Sequence, residues 1–146
     1  VRDSQSLSAI GVACHEAGHA LQHAEKYAPL QWRSAMVPVT QFASHGAYIF
    51  IFLGVFMQSL AMSQFGVLLF AVGFAFALIT LPVEWDATAR AKRQMVTDGI
   101  VMPQEANDAG KVLDAAFLTY VAAAVSALLT LLYYLLRLGL LGGRDD

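Results

Sequence analysis

Residues 42–62 read FASHGAYIFIFLGVFMQSLAM and carry no Asp, Glu, Lys or Arg. Two residues further on, 65–83 read FGVLLFAVGFAFALITLPV, and 115–136 read AAFLTYVAAAVSALLTLLYYLL, again without formal charge. Each run is close to the ~20 residues that an α-helix needs to cross the hydrocarbon core of a bilayer. Tyr48, Trp85, Tyr133 and Tyr134 stand near the ends of the runs, where interfacial aromatics collect. The composition agrees: 58% of the 146 residues are hydrophobic and 14% charged, against about 25% charged in a soluble domain. Mean hydropathy is +0.56. A disordered chain is excluded by this apolar content. The expected fold is all-α: an integral membrane helical bundle with about three transmembrane helices, plus two helices at the membrane face described below.

Other function classes fall away on charge and cysteine. The net charge of −2 comes with no basic patch, so no nucleic-acid partner is expected. The single cysteine, Cys14, allows neither an internal disulfide nor a Cys-rich metal site. Any metal centre must therefore come from His, Glu and Asp.

The polar pair Ser63–Gln64 is the only break between the first two runs, which predicts a tight antiparallel hairpin turning there. Residues on either side of that hairpin then share one face of the membrane. Arg2, Lys26 and Arg33 precede it, Arg90, Lys92, Arg93 and Lys111 follow it, and the turn has no charge. The positive-inside rule makes both flanks cytoplasmic and sends residues 142–146 outside, although Arg137 and Arg144 pull the tail the other way. A helix is expected over 6–24, with Ser6 or Ser8 as N-cap. Pro29 and Pro38 bracket an expected connector, 28–38. Pro82 is expected to open a new helix over about 83–95, which stops at Thr97–Asp98–Gly99. A short helix over 103–113 then leads into the third span.

The chemistry resides in His15–Glu16–Ala17–Gly18–His19, an HEXXH sequence. Residues four apart lie on one face of a helix, one turn from each other. His15 and His19 can thus point nitrogens at one Zn2+, while Glu16 reaches a water activated by the metal and acts as general base and acid. His and Glu are costly in so apolar a segment (AIGVACHEAGHALQH) without a role.

Catalytic zinc needs a third protein ligand. His23 lies two turns from His15, about 12 Å along the axis, and cannot share its ion. The HEXXHXXGXXH pattern fails at Gln22 and Glu25. His45 enters the first span. Glu84, in Leu81–Pro82–Val83–Glu84–Trp85–Asp86, is the preferred ligand because the hairpin returns it to the face of His15 and His19. Asp86 is the runner-up, or an acceptor behind a ligand histidine. Ala87 and Ala91 leave this helix face slim enough to pack against Ala17 and Gly18. Cys14 is read as a small buried hydrophobe. Arg90 is read either as an anion binder or as a member of the cytoplasmic charge set.

The stretches SLSAIGVACHEAGHALQHAEKYAPLQWRSAMVPV (6–39), ITLPVEWDATARAKRQ (79–94) and GKVLDAAFLTYVAAAVSALLTLL (110–132) resemble the YugP-type membrane zinc metallopeptidases of bacteria, neutral zinc metallopeptidase family 2. The resemblance covers nearly the whole chain. It implies a single membrane metallopeptidase domain over 1–146, a Zn2+ cofactor, and an endopeptidase acting on peptide or protein substrates, membrane proteins among them. Taken with the positive-inside reading above, the expected location is the bacterial cytoplasmic membrane, with the active site on the cytoplasmic side. His15, Glu16 and His19 fall on the family's HEXXH, and Glu84 on its LPVE[FW]DAS-like motif. Members usually carry a further N-terminal membrane helix and a soluble segment before the HEXXH helix, so the chain is expected to lack these. In more distant HEXXH-plus-Glu membrane peptidases an Asp follows the ligand Glu by four; Thr88 holds that place here. Two rival readings are an intramembrane site-2-type protease, whose N-x-x-P…D-G motif is matched only by Asp98–Gly99, and a non-catalytic membrane adaptor that retains a metal site.

Overall fold

A computed structural model describes residues 4–140. Four helices follow one another along the chain: α1 (Ser4–Ala24), α2 (Ala28–Phe56), α3 (Leu60–Thr97) and α4 (Pro103–Arg137). The described residues contain no strand, so the all-α expectation holds. α2, α3 and α4 are each long and apolar enough to cross a membrane. Their most apolar windows are only 22%, 28% and 11% buried within the chain. Phe42, Phe52, Phe56, Leu68, Leu129 and Leu136 are all more than 60% exposed. Water disfavours so much open apolar surface, whereas the hydrocarbon core of a bilayer would accommodate it.

Helix ends differ from expectation at five places. α1 begins at Ser4, which leaves Ser6 and Ser8 inside it rather than at its N-cap. Residues 28–38 are helical and belong to α2, with Pro29 in the first turn, where its missing N–H costs nothing, and Pro38 in the interior. The hairpin turn lies at 57–59, and Ser63 and Gln64 sit inside α3. Gln58 adopts φ 54°, and Ser59 N–H donates to the Gly54 carbonyl at 2.7 Å, the left-handed C-cap that usually selects glycine. Ser63 instead is buried, and its hydroxyl donates to the Ile51 carbonyl at 3.3 Å. Pro82 does not start a helix but rides within α3. Finally, 103–113 and the third span form one helix, α4. Its start is capped by Pro103 in the first turn and by the Glu105 carboxylate accepting from Met102 N–H at 3.2 Å. The expected stop at Thr97–Asp98–Gly99 is found, with Gly99 at φ +62°. Arg2, Arg144 and the tail 142–146 lie outside the described residues.

The chain divides into two compact units. One comprises Val1–Trp32 and Ile79–Val121. Its core joins Cys14 of α1, Ala91 and Met95 of α3, and Ala109 and Leu113 of α4, closed by Val101 from the α3–α4 turn. Cys14 is 6% exposed, the small buried hydrophobe expected, and burial, aided by the charge of Asp98, pushes its thiol pKa up. The other unit comprises Arg33–Leu78 and Ala122–Asp146. There Ile51, Val67 and Leu131 form the centre. α2 and α3 approach closely: a Cβ on Gly54 would stand 2.5 Å from Ser63 N, and one on Gly66 2.7 Å from the Ala47 carbonyl oxygen.

Candidate metal centre

All the side chains of this site belong to the first unit. α1 presents His15 and His19 one turn apart, their rings 4.7 Å apart and edge to face. α3 presents Glu84, whose side chain is 2% exposed. Glu84 Oε2 lies 2.9 Å from His15 Nε2 and 3.4 Å from His19 Nε2. One ligand atom from each of the three residues falls within 4.8 Å of the others. Two ligands at zinc distances on a tetrahedral ion stand about 3.4 Å apart. The observed spacings therefore match a shared ion to within a small side-chain adjustment, and two imidazoles with one carboxylate form a donor set that suits catalytic zinc. Glu16, beside His15 on α1, is exposed.

α1 and α3 come this close because of Gly18. A Cβ there would stand 2.6 Å from the Ala87 carbonyl oxygen, so only glycine permits the crossing. Gly18 and Ala87 pack as the sequence implies, whereas Ala17 is exposed.

The outer nitrogen of each histidine also has a partner. Gln22 is fully buried, and its amide N–H2 donates to the Val83 carbonyl at 2.8 Å and to Asp86 Oδ2 at 2.9 Å. Those two acceptors fix the amide orientation, so Gln22 Oε1 accepts from His19 Nδ1–H at 2.9 Å. This leaves Nε2 of His19 to face Glu84. His15 Nδ1 lies 3.4 Å from the Thr88 hydroxyl, a longer and weaker contact. The Glu84 carboxylate holds the His19 pKa above its ordinary value; burial opposes it, and Gln22 and the charge of Glu16 reinforce it.

The family model described as "Putative neutral zinc metallopeptidase" matches residues 1–139. The chain belongs to that family. It is also 46% identical over 142 residues to the "Putative membrane protease YugP" of Bacillus subtilis (strain 168), a match covering 97% of this chain and 62% of that protein. The chain thus spans less than two thirds of the length of this curated relative. No solved structure matches it.

Within this member of the neutral zinc metallopeptidase family, the other sequence candidates take different places. Asp86 is outside the His15–His19–Glu84 group and stands one residue further from the histidines than expected, holding Gln22 rather than His19 itself. Arg90 is committed to two acids, Asp86 and Glu25, each at 2.6 Å. Together these residues link the end of α1 to α3 behind His19. His23 and His45 are exposed and apart from the group, and His45 Nδ1 lies 2.7 Å from the Gln41 carbonyl oxygen. Gln22 was not singled out by sequence reasoning as a support for the site. Its signal was its position three residues after His19, on the same helix face within an apolar segment.

Proposed function

We propose that the chain is a membrane-bound zinc endopeptidase in which His15, His19 and Glu84 hold the metal and Glu16 is the general base and acid. The convergence of two Nε2 atoms and one buried carboxylate oxygen carries this reading. When bound, zinc supplies Lewis acidity at a peptide carbonyl and brings a water's pKa towards about 7. Glu16, exposed beside His15, takes the proton from the attacking water and returns it to the leaving amine. Gln22 and Thr88 keep the outer nitrogens occupied, so that Nε2 of each histidine is the ligating atom. A donor set of three favours a catalytic over a closed structural site, which normally has four protein ligands.

The enzyme is assigned to the bacterial cytoplasmic membrane, with its site on the cytoplasmic side and a peptide or protein, membrane proteins included, as substrate. The three apolar helices and the positive charges flanking the first two support this placement.

Glu16→Gln tests the mechanism. The purified variant should retain one zinc per chain by elemental analysis and lose peptide hydrolysis by a factor of about 100 or more, the usual scale of general acid–base catalysis. A variant that cleaves as fast as wild type removes Glu16 from the mechanism.

A further inference from the structure

A cavity of about 100 Å³ opens beside the candidate metal centre. One end is formed by His15, Glu84 and Thr88. The rest of the lining is largely apolar: Val12 of α1, and Leu113, Ala116, Phe117 and Tyr120 of α4. Leu113 and Thr88 are buried, and Phe117 is held edge-on against Trp85 with ring centroids 5.2 Å apart. The cavity is thus built into the first unit and continuous with the metal ligands.

We propose that this cavity is the subsite that receives one apolar side chain of the substrate, next to the bond that is cut. The proposal rests on the metallopeptidase reading above and names its substrate preference. Three observations select that occupant. The volume is well below the ~300–1,000 Å³ of pockets that enclose a whole small-molecule ligand, so it fits a side chain rather than a longer segment. The walls offer apolar surface, which favours aliphatic and aromatic groups. Against walls so short of polar groups a carboxylate would lose its hydration without a partner, which selects against an acidic side chain. A carbonyl directed at His15, His19 and Glu84 brings the neighbouring side chain to the mouth of this cavity.

The test uses the zinc-loaded chain in detergent micelles and three peptide hydroxamates that differ at one side chain: hydrogen, isobutyl or carboxymethyl. Calorimetry should show isobutyl binding about tenfold or more tighter than hydrogen, the scale expected for burying a leucine-sized group, with carboxymethyl weakest. Ala116→Phe and Val12→Phe, which add bulk at lining positions on α4 and α1, should each erase the isobutyl advantage while the hydrogen compound still binds in a zinc-dependent way. That retained zinc-dependent binding also reports that each variant is folded. Equal affinities in wild type overturn the subsite, as does an isobutyl advantage that survives both substitutions. If none of the three binds in a zinc-dependent way, the metallopeptidase reading itself fails, and the subsite falls with it.

Discussion

Glu84 has almost no water to solvate its charge, and its Oε2 faces two imidazoles. A buried carboxylate of this kind needs a partner, and an ion shared with His15 and His19 would answer that need. Glu84→Ala removes the only acidic ligand, so zinc content should fall from one equivalent towards none by elemental analysis; an unchanged content dismisses Glu84 as a ligand. The supports behind the histidines should grade with their geometry. Gln22→Leu keeps the volume but loses the 2.9 Å bond to His19 Nδ1, and zinc affinity should drop by about 10- to 100-fold, as it does when such supports are removed elsewhere. Thr88→Val removes only a 3.4 Å contact to His15, and its effect in the same competition titration should stay below about tenfold. The reverse order would mean that Thr88, not Gln22, is the principal support. The pairing of His15 and His19 was legible in the sequence because HEXXH is a spacing, and helical spacing alone puts the two together. Gln22 was not, because a glutamine on a helix ordinarily faces water. Only the depth of the α1–α3 packing shows that its amide has three protein partners instead.

Two helices carry the three proposed ligands, so the crossing of α1 over α3 sets the candidate site. The crossing depends on Gly18, where any side chain meets the Ala87 backbone. Gly18→Ala must push α1 away, with a destabilisation of about 1–3 kcal/mol, the usual cost of overpacking, and with weaker zinc binding as the histidines leave Glu84. Gly73→Ala is the matched control: nothing lies within 4 Å of a Cβ there, and alanine is the better helix former. Thermal melts of the two variants in the same detergent should separate them, and equal melting temperatures refute the close-packing argument. At this scale the existence of the helices was legible and their ends were not. Apolar runs without charge announce the spans, but a turn is recognised by its residues. The turn at 57–59 has Gln58 in the left-handed conformation that normally calls for glycine, so the more polar Ser63–Gln64 pair attracted the boundary. Pro38 and Pro82 misled in the same way. Proline breaks a helix when its lost hydrogen bond goes uncompensated, but helices that cross membranes tolerate it where neighbouring groups satisfy the freed backbone. Both prolines lie inside helices long enough to span.

For the molecule as a whole, orientation decides which side of the membrane the proposed chemistry faces. Most of the apolar surface of α2, α3 and α4 is left uncovered by the chain, which fits three passes through lipid. The charges then choose the direction. Lys26 and Arg33 stand before the first span, Arg90, Lys92 and Arg93 follow the second, and the 57–59 turn between them has none. If cytoplasmic retention of Lys and Arg sets the orientation, the turn is outside and the α3 segment bearing Glu84 and Arg93 is inside. The chain offers a clean way to read this. Its only thiol, Cys14, is buried, and burial raises its pKa, so the reactive thiolate is scarce. Wild type should therefore stay unlabelled by a membrane-impermeant maleimide and serve as the background. Met57→Cys places a thiol at a position 61% exposed in the turn, and it should label in intact cells. Arg93→Cys, exposed at the far end of α3, should label only after the membrane is opened. The opposite pattern would reverse the orientation and move the metal centre to the outer face, where its substrates would be extracytoplasmic peptides rather than cytoplasmic ones.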